Sequence, residues 1–158
     1  MWRRNKAAVI LLVLCAAVLL FSFWPRSFAQ ALFNVPVEQL TSIEVMLDPV
    51  DNRETGYYRL TLTPEDEGFN QLLELLASRR YLPLFPGDYG RSLLMEYGVW
   101  ISFSYLYEGE IYTSPNGVYL TGDRPIMIGQ RNYTVSRSEA FQQAVLDLVL
   151  AQGPENVD

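Results

Sequence analysis

The chain has no histidine, one cysteine and, after position 6, no lysine. Each absence removes a class of chemistry. Without imidazole there is no Ser-His or Cys-His nucleophile pair and no histidine metal ligand. The lone thiol, Cys15, sits inside an apolar run, so the remainder of the chain has no internal disulfide and no thiolate for structural zinc. With Lys6 as the only lysine, neither a Ser-Lys dyad nor a phosphate-cradling P-loop can form. No cofactor and no metal site is expected from the residue types that remain.

Positive charge is scarce where it would matter most. From Gln30 onward there are 8 arginines against 18 carboxylates, a formal charge of −10. Such a surface repels phosphate backbones and anionic headgroups in general, which excludes nucleic acid as a partner. Disorder is excluded as well, because 49% apolar and 13% aromatic residues describe a globular chain. A length of 158 residues bounds the fold at one ordinary domain.

Residues 7–24 are the one long stretch without charge, AAVILLVLCAAVLLFSFW. As a helix at ~1.5 Å per residue this run covers ~27 Å, close to the hydrocarbon thickness of a bilayer. Trp2 and Trp24 flank it, where aromatic rings favour the interface, and Arg3, Arg4 and Lys6 precede it. The expectation is a single pass through Ala7 to Trp24, with the N-terminus cytoplasmic and the rest of the chain outside. Three forms of that segment compete. A retained signal anchor suits its length. A cleaved signal peptide has a small-x-small site at Ser27-Phe28-Ala29, and cleavage after Ala29 would give a secreted chain. A lipoprotein would need a small residue before Cys15, where Leu14 stands.

Beyond the run, Pro25 and Pro36 mark a lead-in. Residues 1–29 are read as basic start and anchor, 30–39 as stalk, 40–152 as the domain and 153–158 as a flexible tail. Leu40 to Asp48 alternates, with Ile43, Val45 and Leu47 on one face; Tyr57 to Thr63 alternates with Tyr58, Leu60 and Leu62 inward. The two predict a hairpin. Thr63-Pro64-Glu65-Asp66-Glu67 predicts a helix start with threonine as cap and proline at the first position. Phe69, Leu72, Leu73 and Leu76 follow as its apolar stripe. Tyr81 to Arg91, with two prolines and two glycines, reads as a surface loop.

From Gly98 the chain alternates again, Val99, Ile101, Phe103, Tyr105 and Tyr107 against Trp100, Ser102, Ser104 and Leu106. Glu108-Gly109-Glu110 predicts a turn into a strand at 111–113, and Ser114-Pro115-Asn116-Gly117 a β-turn. Short strands are expected at 118–121, 126–128 and 132–135. Ser136 and Glu139 have capping-box spacing before a closing helix buried through Phe141, Ala144, Val145 and Leu148, and Gly153-Pro154 ends it. The fold class is therefore α+β: an N-terminal transmembrane helix, then a mostly antiparallel sheet in the order β-β-α-β-β-β-β-α, with two helices on one face.

This order of hairpin, helix, proline-rich loop, YGVWISF and IYTSPNGVYL meander and closing helix resembles small extracytoplasmic domains of unknown function in Gram-positive bacteria, over roughly residues 36–151. Those domains are tethered by a signal anchor or a lipidated cysteine. The resemblance implies a tethered domain and brings no catalytic residues with it.

The side chains left for function are carboxylates and aromatics. Glu108 and Glu110 flank a glycine and would share a face on extended backbone; with Asp88 and Asp123 they are the candidates for a small carboxylate-dependent hydrolase acting on cell-wall glycan. Asp48, Asp51, Asn52 and Glu54 crowd one turn, but without the alternate ligand spacing of an EF-hand loop, and turn formation explains them equally. Trp100, Tyr105 and Tyr107, with Glu108 and Glu110, are the candidate binding residues for an envelope protein or glycan. The leading expectation is a non-catalytic binding module, the hydrolase its alternative.

Overall fold

The structure is a computed structural model and describes residues 2–32, 37–49, 56–85, 95–122 and 125–157, with side chains from Ala8 onward. A helix, α1 (Trp2–Ser22), opens the chain. Its described apolar side chains are exposed all round, Leu12 at 71% and Leu19 at 56%. Among the described residues no helix is long and apolar enough to cross a membrane. The described side chains of α1 begin at Ala8, inside the expected Ala7 to Trp24 run.

The lead-in is not a bare stalk. Ser27 starts a four-residue helix, α2 (Phe28–Ala31), through a capping box in which its hydroxyl accepts from the Gln30 N–H and the Gln30 side chain accepts from the Ser27 N–H. Phe28, Ala31 and Leu32 are buried in the core. One turn is too short for a periodic stripe, so these three residues read as linker when seen in sequence. A 3₁₀ turn at Val37–Gln39 then leads into the sheet.

The strands β1 (Leu40–Pro49) and β2 (Tyr57–Leu62) pair antiparallel, from Ile43 opposite Leu62 to Leu47 opposite Tyr58, as their alternation predicts. Next comes α3 (Glu67–Ala77). It starts later than Thr63-Pro64 suggests. The Asp66 N–H bonds the Thr63 carbonyl, and the Asp66 carboxylate accepts from the Thr63 N–H at 2.7 Å and the hydroxyl at 2.9 Å. Thr63 and Pro64 therefore belong to a turn, and Asp66 is the N-cap. Those two bonds hold the Asp66 carboxyl below its ordinary pKa.

A two-residue strand, β3 (Leu82–Pro83), follows. The remaining elements are β4 (Tyr97–Tyr107), β5 (Glu110–Thr113), β6 (Val118–Leu120), β7 (Ile126–Ile128), β8 (Arg131–Thr134), α4 (Ser138–Ala151) and β9 (Glu155–Val157). The expected surface loop from Tyr81 is thus corrected over its first residues. Tyr81 has no exposed surface, and β3 pairs with β8, Leu82 opposite Thr134. A proline in an edge strand leaves no ladder bond unmade, which hides such a strand from a propensity reading. The end of the chain is corrected too. Residues 155–157, expected as a loose tail, form β9 against β2, with Tyr57 opposite Val157.

The N-terminus of α4 also differs. Arg137, not Ser136, is the N-cap and sits in the left-handed region at φ 54°, without a side-chain cap bond. The buried side of α4 is Phe141, Gln142, Val145, Leu146 and Val149, rotated from the expected stripe, with Ala144 and Leu148 half-buried.

Among the described residues the strands form one sheet of nine, ordered β3-β8-β7-β6-β4-β1-β2-β9, with β5 also on β4. Its pairings are antiparallel. One face carries Ile43, Val45, Leu47, Val99, Ile101, Phe103, Val118, Leu120, Ile126, Ile128 and Tyr133, all fully buried. These join the buried side chains of α2, α3 and α4 in a single core. The helices cover that face, so the α+β architecture with a mostly antiparallel sheet stands. Its element order departs from the expected one by the short pieces α2, β3 and β9 and by one further strand, since β4 to β8 are five strands where four stood in the expected order. Among the described residues, none of α2, α3 and α4 lies on the other face.

Candidate functional site

Strand pairing builds the open face residue by residue. Because side chains alternate along a strand, each partner of an outward residue also points outward. The register links Glu155, Arg59, Met46, Trp100, Tyr119, Met127 and Asn132 into one row that crosses the sheet from β9 to β8. At the centre of this row stand Met46, Trp100, Tyr119 and Met127, all half-buried.

Two glycines explain how large rings lie down on a flat sheet. A β-carbon on Gly117 would stand 2.8 Å from Cζ2 and 2.9 Å from Cε2 of Trp100, so the indole rests directly on the Gly117 backbone. A β-carbon on Gly98 would stand 3.1 Å from the Tyr119 hydroxyl and 3.5 Å from its Cε2. The two rings lie 5.9 Å apart, tilted by 49°. Aromatic side chains that cover glycines in or beside strands gain packing and protect the backbone there.

The rim of this apolar strip is polar. In the next row Thr61 is opposite Glu44 and Glu44 opposite Ser102, with the Ser102 hydroxyl 3.4 Å from the Glu44 carbonyl. Arg59 Nε meets Glu44 Oε1 at 2.6 Å on a half-exposed surface, where such a pair adds little stability but fixes both side chains. One row further, Ser104 and Thr113 hydroxyls are 3.3 Å apart. A rigid aromatic centre with thioethers beside it and hydroxyls around it is the composition of a contact surface.

The five binding candidates divide between two places. Trp100 lies on the open face. Tyr105, Tyr107, Glu108 and Glu110 lie on the β4–β5 hairpin, which extends past the core. Odd-numbered residues of β4 point to the helix side, so Tyr105 and Tyr107 face away from Trp100. On the hairpin Tyr105 and Tyr112 stack at 6.2 Å, Tyr107 meets Tyr112 edge-on at 6.1 Å, and the Tyr112 hydroxyl donates to Glu110 at 3.0 Å.

The carboxylate pair does not form as expected. Glu108 and Gly109 take φ of 51° and 86°, a tight hairpin turn, so the extended backbone that would align Glu108 with Glu110 is absent. Both glutamates are exposed. Beside the hairpin a groove of about 560 Å³ is lined by Glu38, Thr41, Tyr107 and Glu108 among others. Asp88 and Asp123 lie outside the described residues, as do Asp51, Asn52 and Glu54; Asp48 is exposed near the end of β1. Among the described residues no three acidic side chains gather as metal ligands.

Met46, Met127, Gly98 and Gly117 were not legible as site residues from sequence. They are scattered along the chain, and only the register of four strands brings them together. Trp100 beside a glycine-started strand was the visible part of the signal. No protein-family model, no curated protein and no solved structure matches this chain.

Proposed function

We propose that the chain is a membrane-anchored, extracytoplasmic binding module of the cell envelope, without catalytic activity of its own, and that the open sheet face is where a protein partner docks. The observation that carries this reading is the registered row Met46, Trp100, Tyr119 and Met127, its two rings laid over Gly117 and Gly98, on the face that α2, α3 and α4 leave open among the described residues. Aromatic anchors held rigid before binding lose little entropy on contact, and methionine adapts to a partner's contour. A protein partner suits thioethers beside rings better than a glycan does.

Anchoring is supported by α1. Its described apolar residues from Val9 to Phe21 are exposed on all sides, a distribution that water disfavours and a bilayer satisfies. Retention of the anchor is supported by Phe28. It is 2% exposed and its ring lies 5.7 Å from Phe103 and 5.8 Å from Tyr81, so cleavage after Ala29 would remove a core side chain from the domain. The resemblance to tethered domains of Gram-positive bacteria agrees with this arrangement.

A photo-crosslinking residue in place of Met127 in the full-length chain tests the docking face in cells. One discrete protein adduct is expected, lost on Trp100→Ala and absent when the crosslinker replaces Gln143 on the exposed side of α4. Equal crosslinking from Gln143, or adducts indifferent to Trp100, would sink the reading; a glycan adduct would replace the protein partner. For the hydrolase alternative, Glu38→Gln and Glu108→Gln are expected to leave cell-wall turnover unchanged. Loss of turnover in a folded variant reverses the assignment.

A further inference from the structure

Charge is unevenly shared between the two sides of the sheet. The chain from Gln30 onward carries 8 arginines and 18 carboxylates, yet among the described residues no outward side chain from β4 across to β8 is charged. The charged outward residues, Glu44, Asp48, Arg59 and Glu155, stand on β1, β2 and β9, and Glu44 is held by Arg59. The helix side differs: Glu67, Glu74, Glu139 and Asp147 are exposed on α3 and α4. Two copies of so acidic a domain repel across the helix side and meet without opposed charges across this half of the sheet.

The uncharged half is apolar beyond the Trp100 row as well. Leu106 and Ile111 are cross-strand partners on the β4–β5 hairpin, 46% and 69% exposed, and both point to the open side. With the flanking β1 and β5 included, this area is on the order of 400 Å² in projection at the usual strand spacing and rise. Side-chain relief raises its accessible surface toward the ~800 Å² that each partner gives to a standard interface.

The joint with α1 restricts how two copies are related. Phe23 packs on Phe85 with ring centroids 4.2 Å apart. Arg26 and Tyr81 exchange two backbone hydrogen bonds, at 2.8 and 2.9 Å, in an antiparallel bridge. Tyr81 leads into β3, β3 is antiparallel to β8, and β8 runs opposite to β4 through β7 and β6. The chain therefore comes off α1 at the end of the sheet where the β4–β5 hairpin projects. Facing sheets related by a two-fold axis along β4 send both copies of α1 the same way, as a shared membrane requires. Antiparallel pairing through the edge of β5 or β9 has its axis normal to the sheet and sends them opposite ways.

We infer that the open face binds a second copy of this chain, sheet against sheet, in the same membrane. The inference rests on the membrane-anchored docking module proposed above and names its partner. The Trp100 and Tyr119 rings, already laid over Gly117 and Gly98, and the methionines beside them then cover the same strip of the other copy. Confinement to one membrane raises the effective concentration of the two domains, so a face of modest area suffices.

Two differently tagged full-length copies, co-expressed with a photo-crosslinking residue at Met127, give the direct test. An adduct with the mass of two chains and both tags is expected. In phosphatidylcholine vesicles, single-molecule photobleaching of the labelled full-length chain should count pairs. Met46→Glu/Met127→Glu sets unpaired carboxylates in the contact and should weaken pairing at least about tenfold. Gln143→Glu, on the exposed side of α4, should pair as the wild type does. Raising salt from about 0.05 to about 0.5 M should tighten pairing, because it screens the repulsion between two acidic domains. Pairing that survives in the folded double variant, or that salt weakens, overturns the inference. An adduct of one copy with a different protein overturns it too, but if lost on Trp100→Ala it leaves the docking face standing with another occupant. Absence of any protein adduct from Met127 ends both readings. Should circular dichroism show the double variant unfolded, the mass of the wild-type adduct decides alone.

Discussion

The Tyr81 hydroxyl donates a 2.8 Å hydrogen bond to the Leu76 carbonyl, five residues back at the end of α3. The last carbonyls of a helix have no partner within it, and here a buried phenol supplies one. Tyr133, whose ring meets that of Tyr81 edge-on at 6.2 Å, is equally buried, but its hydroxyl has no hydrogen-bond partner among the described residues.

The two tyrosines should therefore respond oppositely to loss of the oxygen. Tyr81→Phe leaves a buried carbonyl unpaired and is expected to cost about 1–2 kcal/mol. Tyr133→Phe removes an unpaired group and should be neutral or stabilising. Urea unfolding of the two variants gives the comparison; equal losses would contradict it.

Burial also pushes the Tyr81 phenol well above its ordinary pKa of 10.0. In the unfolded chain the phenol releases its proton from about pH 10 upward, while the folded one keeps it. The unfolded state then binds fewer protons, so stability is intact below about pH 10 and falls as pH rises past it. Tyr81→Phe should flatten that alkaline decline in urea midpoint. Asp66 acts at the other end. Its lowered pKa favours the folded chain above about pH 4 and that contribution is lost as pH falls through the folded value, a small effect at an exposed group that Asp66→Asn should remove.

Gln142 is fully buried on α4 and its Oε1 accepts from the N–H groups of Thr121 and Gly122, both at 3.0 Å, while its amide donates to Ser138. Gln142→Leu keeps the volume and strips the acceptor from two backbone donors, an expected loss of about 2–4 kcal/mol. Amide exchange at Thr121 and Gly122 should accelerate more than elsewhere; uniform acceleration would point to packing alone.

Gly117→Ala sets a methyl 2.8 Å from both the Trp100 ring and the Ile101 carbonyl oxygen. Overpacking of this kind costs about 1–3 kcal/mol and lifts the indole from the sheet. A red shift of tryptophan emission and weaker partner crosslinking are the expected readouts. In a Trp100→Ala background the penalty should shrink without vanishing, because the Ile101 contact remains.

A chain beginning at Gln30 lacks Phe28 and the Arg26–Tyr81 pairing, whereas one beginning at Pro25 keeps both. The shorter chain is expected to be less stable by at least about 3 kcal/mol, the scale of a buried phenylalanine deletion. Equal melting temperatures would restore cleavage after Ala29 as a harmless event.

Local pattern carried the larger strands, the short strands β5 to β8 and the helices α3 and α4. Ile43, Val45 and Leu47, and Val99, Ile101 and Phe103, alternate over enough positions to declare one buried face, and the structure buries all six. Three short elements, α2, β3 and β9, escaped that logic. Phe28 and Leu32 belong to a single turn, Pro83 argues against a strand wherever its missing N–H would matter, and β9 is three residues long. Gln142 reads as a polar interruption of a stripe because its partners lie 20 and 21 positions earlier. The open face is legible only after pairing, since Gly117 reads as a turn glycine in sequence and its contact with Trp100 shows only once the strands are registered.

The paired Arg26 and Tyr81 have a mechanical consequence. A tether joined to its cargo by free linker lets the cargo turn like a flag on a string. Here the helix passes into hydrogen-bonded backbone within four residues of its last turn, Ser22 to Arg26. Tension along α1 loads that bridge and the Phe23–Phe85 contact before any slack is taken up. The joint is a bracket rather than a hinge, so on the membrane-anchored reading proposed above the direction in which Trp100 looks follows the tilt of the helix.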